Sequence, residues 1–138
     1  MNREAKHLPI ATSSKQLESA TGRKVILYVD TKFEKKLRQL LSSEAIRKKF
    51  RMVAEFALSD RYRDDIYGHE DISKIAKDVC AIKIYVLGNH RIYCKEFFAT
   101  GIKRIVLIKY VDKKTMKVSK DIKQMIEQIG GYSYEFES

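Results

Sequence analysis

Three apolar segments separated by two short breaks constrain the fold of this chain more than any other feature of the sequence. Residues 82–86 alternate apolar with polar or amphipathic side chains, as a half-buried strand does. Gly88-Asn89 follows, and glycine at the first central position allows the positive φ of a two-residue type II′ turn. A second turn at residues 99–101 leads into residues 104–111. Both the odd and the even positions of this segment are largely apolar, which indicates a central strand covered on both faces. With residues 91–98 between the turns, the pattern predicts a three-stranded antiparallel meander.

Helical periods precede the meander. Residues 25–29 are β-branched and aromatic and predict an opening strand. Thr31 and Glu34 have the spacing of a capping box, which predicts a helix start. Apolar residues then recur at helical spacing as far as residue 58, interrupted by Ser42 and Ser43, so we expect a helical hairpin with both apolar faces on one core. Residues 59–69 are polar and are predicted to form a loop, and a short helical period follows at residues 72–79.

After the meander, Ser119 is a plausible N-cap for a helix that ends at Gly130-Gly131. Residues 132–136 alternate aromatic with polar side chains and are predicted to form a short edge strand. Residues 1–23 show no sustained apolar period and are predicted to be an N-terminal arm. The expected fold class is α+β in a single domain over residues 24–138, with an N-terminal strand, a helical hairpin, the three-stranded antiparallel meander, a C-terminal helix and a short edge strand.

The charge balance points to a polyanionic partner. The 138 residues include 28 Lys and Arg against 18 Asp and Glu, a formal net charge of +10. Within residues 80–131 there are eleven basic and four acidic residues, so most of the excess falls in the predicted sheet half. No apolar run is long enough to cross a bilayer, so nucleic acid is a better partner for this charge than a membrane. Cys80 and Cys94 lack the paired spacing of a zinc site and no apolar signal sequence precedes the chain, from which we expect a cytoplasmic protein.

Strand periodicity places several basic and aromatic residues on common faces. Lys83 and Tyr85 share the polar face of one strand, and Arg91, Tyr93 and Lys95 share a parity on the next. Such a face can attract phosphates and stack bases, a combination suited to single-stranded or distorted RNA. The alternative is that these side chains only solvate an outer sheet face.

Residues 82–126 resemble the RelE/ParE superfamily of bacterial toxins from type II toxin–antitoxin pairs, including its HigB-like branch. The resemblance rests on a strand, a tight turn, a basic residue after the turn, two strands and a Lys-Lys-Thr loop before a helix. The helical hairpin after an opening strand matches the family's order as well, so the resemblance covers about residues 25–136. The matching pieces read Lys83-Ile-Tyr-Val, Gly88-Asn-His-Arg-Ile-Tyr93, Ile105-Val-Leu-Ile-Lys-Tyr-Val111 and Asp112-Lys-Lys-Thr-Met-Lys117.

The resemblance implies a RelE-like fold and cleavage of mRNA on the ribosome. In the family mechanism the ribose 2′-OH attacks the adjacent phosphodiester, and neither a metal nor a small-molecule cofactor is needed. The implied partners are the mRNA, the ribosome and a cognate antitoxin protein. Lys83, Arg91, Lys113 and Lys114 match the family's basic site positions, and Tyr85 stands where relatives often have a second basic residue. The residues predicted to contact RNA around this site are Tyr93, Lys95, Lys109, Lys117 and His90.

The proton-transfer group stays open at this point. Lys120 stands near the start of the last helix, where ribosome-cleaving relatives have a tyrosine. Substitutes for that tyrosine could be Tyr85, Tyr93, His90 and either Tyr132 or Tyr134. Only His90 has an ordinary pKa near neutrality. Two other functions compete with the nuclease: a gyrase-inhibiting ParE-like toxin, and a non-catalytic RNA- or ribosome-binding module.

Overall fold

The computed structural model describes residues 2–10, 18–114 and 119–137. In these residues seven strands form one mixed sheet, and three helices pack against it. In chain order the elements are β1 (Asn2–His7), β2 (Lys24–Asp30), α1 (Glu34–Leu40), α2 (Glu44–Leu58), β3 (Tyr67–His69), β4 (Val79–Ile84), β5 (His90–Ala99), β6 (Ile102–Asp112), α3 (Lys120–Gly130) and β7 (Ser133–Phe136).

The predicted fold class is wrong. Instead of a helical hairpin and a three-stranded meander of RelE-like type, the chain forms a seven-stranded sheet in the order β3-β4-β5-β6-β2-β1-β7. β4, β5 and β6 are antiparallel neighbours within it, but β2 runs parallel to β6 and β1 runs parallel to β7. The sequence pattern missed β1 and β3 because both are short and lie in polar segments. Their backbone groups hydrogen-bond to β2 and β4, which would otherwise be open edges.

The start of the chain belongs to the sheet. Residues 2–7, predicted to be part of an N-terminal arm, form β1 between β2 and β7. Ala5 pairs with Asp30 of β2 on one side and with Phe136 of β7 on the other, and its side chain is buried. A single inward-facing alanine gives too weak an apolar period for the pattern to predict this strand.

The two faces of the sheet carry separate cores. One face packs against α1 and α2 around Phe50, Val53 and Leu107. The opposite face packs against α3 and the turns of residues 71–78, around Tyr93, Val106 and Ile126. We call the second surface the α3 face. β6 lies in the middle of the sheet and is covered on both sides, as its apolar character on both parities predicts.

Local details at the element ends differ from the sequence pattern in three places. α1 has no capping box, because the side chain of Asp30 accepts a hydrogen bond from the backbone of Lys32 and its carbonyl accepts one from Phe33. β4 and β5 are joined by the five residues 85–89, not by a two-residue turn. Residues 72–79 form turns and the start of β4, not a helix. The predicted Ser119 cap of α3 is confirmed, since its hydroxyl accepts from the backbone of Ile122.

We expect Gly130→Ala to destabilise the protein by about 2–3 kcal/mol or more, a typical cost of overpacking a rigid contact. A Cβ at residue 130 would lie 2.3 Å from the carbonyl oxygen of Ile75, and backbone cannot move aside as a side chain can. Gly131→Ala is the matched control, because the nearest contact of its Cβ is an ordinary 3.5 Å. Urea unfolding of both variants measures the difference. Equal midpoints for the two variants would contradict the close approach of α3 to the turns.

Candidate nucleic-acid interface

The carboxyl ends of three strands meet at one end of the sheet and collect basic side chains. β2, β4 and β6 run in the same direction, and β5 starts where they finish. Residues at or just beyond these ends therefore lie together. We call this region the basic end, and its cationic residues are Lys32, Lys36, Lys83, Arg91, Lys109, Lys113 and Lys114.

A β-bulge in β6 decides which of these residues share a face. Tyr93 pairs with Lys109, but Cys94 pairs with Leu107, so Ile108 is an extra residue on β6. Beyond a bulge the alternation of side chains shifts by one position. Lys109 and Lys113 consequently lie on the α3 face with Arg91 and Tyr93 rather than on the opposite one.

Lys83, Arg91 and Lys113 come together on this face. Lys83 and Arg91 are directly paired across β4 and β5. The backbone N–H of Lys113 donates to the carbonyl of Asn89, at 2.7 Å, which brings the end of β6 beside the start of β5. Burial lowers the pKa of the Lys113 ammonium, and the charges of Arg91 and Lys83 lower it further. The structure therefore brings together three of the four basic residues that the resemblance singled out.

Glu70 provides the acidic group in this cluster. Its Oε1 lies 3.6 Å from Nη1 of Arg91, and both side chains are nearly buried. This carboxylate also acts against the lowering of the Lys113 pKa. Of the described charged groups that shift the pKa of Lys113, Arg91 and Lys83 are cations and Glu70 is an anion, so an additional anion would be attracted to the cluster.

Some buried polar atoms of the cluster have no hydrogen-bond partner within the described residues. Nε of Arg91 and Oε1 of Glu70 are buried there without a hydrogen-bond partner among the described residues. Burial and the Glu70 carboxylate raise the pKa of Tyr93 to about 12, with Arg91 acting in the opposite direction. A buried guanidinium nitrogen with no acceptor is costly, which is a feature of binding sites more than of cores.

His90 is held by two hydrogen bonds at the same end of the sheet. Its Nε2 lies 3.1 Å from the carbonyl oxygen of Leu87, and its Nδ1 lies 2.6 Å from the hydroxyl of Tyr110. Because a carbonyl only accepts, Nε2 carries the proton, and Nδ1 of the neutral ring accepts from Tyr110. His90 lies on the face opposite Arg91, so the structure does not place it in the basic cluster.

Lys83 and Tyr85 border an open cleft of about 580 Å³ beside α2. Lys49 and Arg63 add positive charge to it. Tyr85 and Met52 have 48% and 61% of their surface exposed, so an aromatic ring and a thioether are available to a ligand. Tyr85 is therefore accessible for stacking, and Lys83, which belongs to the Arg91 cluster, also lines this cleft and donates its ammonium to the carbonyl of Asp64.

The other predicted site residues have different surroundings. The ammonium of Lys95 donates to the carbonyls of Gly130 and Tyr132. These hydrogen bonds hold the Lys95 side chain at the end of α3. Tyr93 is fully buried and cannot stack on a base in this conformation. Lys114 is exposed at the basic end. Lys117 lies outside the described residues.

A pocket of about 350 Å³ opens next to Lys109. It lies between the segment after β2 and the last turn of α3, with a floor formed in part by Phe33, Ile108 and Ile129. We call it the lysine–tyrosine pocket; its other main lining residues are Arg3, Lys32, Lys36, Lys109, Tyr110 and Tyr132. Sequence reasoning singled out only Lys109 of this group as an RNA contact, because its other members come from four separate segments of the chain.

A second group of charged side chains lies on the face of the sheet that packs against α1 and α2. Sequence reasoning also missed this group. Lys103 is fully buried, with its ammonium 2.6 Å from Asp60 and 3.1 Å from Glu96. Arg23 makes two hydrogen bonds to Asp60, and the hydroxyls of Tyr62 and Tyr67 donate to Glu96. Burial alone would raise the pKa of Asp60, but hydrogen bonds from Arg23, Lys103 and Thr21 hold it well below its usual value.

The charges of this second group balance. Two cations, Lys103 and Arg23, face two carboxylates, Asp60 and Glu96. The donor atoms of His69, Cys80 and Glu96 lie within 4.8 Å of one another, as metal ligands do. However, the Glu96 carboxylate is occupied by the two tyrosines, His69 and Lys103, and the adjacent ammonium repels a cation. We therefore interpret this group as part of the folded core, and the unbalanced basic end as the functional candidate.

Comparisons with protein-family models, with curated proteins and with solved structures found no match to this chain. None of the helices in the described ranges is long and apolar enough to span a membrane.

Proposed function

We propose that this chain is an endoribonuclease that cleaves single-stranded RNA at the basic end, and that it is the toxin of a toxin–antitoxin pair. The observation that carries the proposal is the convergence of Lys83, Arg91 and Lys113 on one face. Within the described residues, the excess of positive charge around Glu70 forms a site for an anion, and the anion repeated along RNA is the phosphodiester.

The chemistry needs only the protein, the RNA and water. Attack of the ribose 2′-OH on the neighbouring phosphorus forms a P–O2′ bond and breaks the P–O5′ bond, leaving a 2′,3′-cyclic phosphate and a 5′-hydroxyl, and the proton of the 2′-OH passes to water. Arg91 and Lys83 stabilise the additional negative charge that the phosphate carries in the transition state. The lowered pKa of Lys113 makes its ammonium a better proton donor, so we assign it to protonation of the leaving 5′-oxygen.

Glu70 competes with the RNA for Arg91. Only 5% of the surface of Arg91 and 3% of that of Lys113 is exposed. The scissile phosphate therefore replaces the carboxylate at the guanidinium, with the side chain of Glu70 rotating away. The loose 3.6 Å contact, without a hydrogen bond to Oε1, favours such an exchange over a tight bidentate pair.

The same surface indicates the partners. The mRNA on the ribosome is the proposed substrate, and the exposed basic side chains of α2, Arg47, Lys48 and Lys49, are available for ribosomal RNA. The proposed antitoxin carries acidic residues that meet the basic end. By covering Lys83 and Lys114 it would exclude RNA from the cluster.

The proposal is tested with the purified full-length chain, translating ribosomes and an end-labelled mRNA. We expect cleavage within the mRNA and fragments with a 2′,3′-cyclic phosphate and a 5′-hydroxyl. Strongly salt-dependent RNA binding with intact mRNA would contradict the nuclease and favour the binding module. DNA damage with intact mRNA after expression in cells would favour the gyrase-inhibiting toxin instead.

A further inference from the structure

We propose that the lysine–tyrosine pocket binds one nucleotide of the RNA, with its base among the aromatic and apolar walls and its phosphate at the lysines. This inference rests on the proposed function, because the pocket adjoins the cluster that would hold the scissile phosphate. Lys109 connects the two: it lines the pocket and pairs with Tyr93, which neighbours Arg91 on the same face of β5.

The charge of the pocket favours an anionic ligand. Arg3, Lys32, Lys36 and Lys109 line it, and none of its lining residues in the described part of the chain carries a carboxylate. The nearby acidic residue, Asp30, is buried and already occupied. Its carboxylate accepts from Arg3 at 2.7 Å, from the hydroxyl of Tyr134 at 2.6 Å and from the backbone of Lys32 at 2.8 Å. The lysine charges are therefore not neutralised within the pocket, and its apolar walls strengthen their field.

The walls of the pocket suit a planar base. The guanidinium of Arg3 lies 4.2 Å from the ring centre of Tyr132, and the ammonium of Lys36 lies 5.6 Å from that of Tyr110. Each ring thus already has a cation over one face, and Tyr110 also stacks on His90, so the base packs against the apolar floor of Phe33, Ile108 and Ile129 beside these rings. The amide of Gln128 lies at the rim, where it can donate to and accept from a base edge.

The size of the pocket limits the ligand to one nucleotide. A volume of about 350 Å³ is near the lower end of the range of roughly 300–1,000 Å³ seen for small-ligand sites. A longer stretch of RNA would leave the pocket on one side. The position of Lys109 directs that continuation along β6 towards Lys113 and Arg91.

The experiment titrates AMP, adenosine and inorganic phosphate separately into the ¹⁵N-labelled full chain and follows backbone amide shifts. We expect AMP to bind more tightly than either adenosine or phosphate, with shifts in residues 32–36, 108–110 and 128–132. Lys36→Gln and Lys109→Gln should each weaken AMP binding by roughly threefold to tenfold, the effect of losing one charged contact. Lys35→Gln, an exposed lysine beside Lys36 that does not line the pocket, should leave it unchanged.

Two results would contradict nucleotide binding in the pocket. One is an equal loss of AMP affinity in Lys35→Gln and Lys36→Gln, and the other is inorganic phosphate binding as tightly as AMP. The proposed function is measured separately by mRNA cleavage. Cleavage that is retained while AMP shows no specific shifts would reject the pocket and leave the nuclease. Specific AMP binding in a chain that does not cleave mRNA would reject the nuclease and leave the pocket.

Discussion

Replacing Arg91 by glutamine is expected to lower mRNA cleavage roughly a hundredfold to a thousandfold, the usual effect of removing one group that stabilises transition-state charge. Arg91 is the residue at the centre of the proposed site, paired across the strands with Lys83 and close enough to Lys113 to lower its pKa. The measurement is the rate of appearance of 5′-hydroxyl fragments with saturating ribosome-bound mRNA.

The folding of this variant needs its own control, because removal of Arg91 leaves the nearly buried Glu70 without its counter-charge. We therefore make the same change in a Glu70→Gln background, where both charges of the pair are lost together. Glu70→Gln alone should tighten RNA binding severalfold, since it removes the anion that competes with phosphate. Arg38→Gln, on the exposed side of α1, is the matched loss of one positive charge and should leave the rate constant for cleavage of bound mRNA unchanged.

Either of two results would contradict the assignment. A double variant that folds normally and cleaves at the rate of the unmodified protein would remove Arg91 from the mechanism. A Glu70→Gln variant with weaker RNA binding would show that the carboxylate supports the RNA rather than competing with it.

The sequence predicts the composition of the basic end better than its geometry. Lys83 and Arg91 follow from strand alternation around Gly88, and the structure pairs them across β4 and β5. The position of Lys109 and Lys113 depends on the bulge at Ile108, and an extra residue in an apolar run has no sequence signature. Parity counting therefore cannot assign a face to any residue of β6 beyond the bulge.

Glu70 and the N-terminal strand were missed for a different reason. Both lie in polar segments whose structure depends on long-range contacts: Glu70 on the pairing of the neighbouring β3 with β4, and β1 on its pairing with β2 and β7. Local sequence patterns detect apolar periods, and these segments have almost none. The incorrect fold class has the same origin, since β1 and β3 bring the five predicted strands, three of them in the meander, to a sheet of seven.

Lys103 shows the limit of reading charge from composition. It contributes to the basic excess of residues 80–131, yet it is fully buried and its charge is balanced by Asp60 and Glu96. Some of the charge that suggests a nucleic-acid partner is therefore used to stabilise the fold. Only the tertiary structure separates such a lysine from those at the basic end.

The largest effect on stability is expected for Lys103→Met. Methionine has a similar length but no charge, so among the described residues Asp60 keeps Arg23 as its cation and Glu96 loses the ammonium beside it. Breaking a buried ion pair by removing one partner typically costs about 3–5 kcal/mol. We expect a loss of this size in the free energy of unfolding, measured by urea denaturation at pH 7, with Lys24→Met, an exposed lysine on the adjacent β2, within about 0.5 kcal/mol of the unmodified protein.

Lowering the pH should reduce the difference in the free energy of unfolding between Lys103→Met and the unmodified protein. The pKa of Asp60 is lowered in the folded state, so its carboxylate stabilises the fold above its ordinary pKa of 3.8 and loses this effect as the pH falls below it. In Lys103→Met one of the charges that lowers this pKa is absent, and protonation of Asp60 relieves its repulsion with Glu96. The deficit of Lys103→Met relative to the unmodified protein should therefore be smaller at pH 3.5 than at pH 7. A deficit that is constant over this range would show that the loss comes from packing around the longer ammonium side chain and not from uncompensated charge.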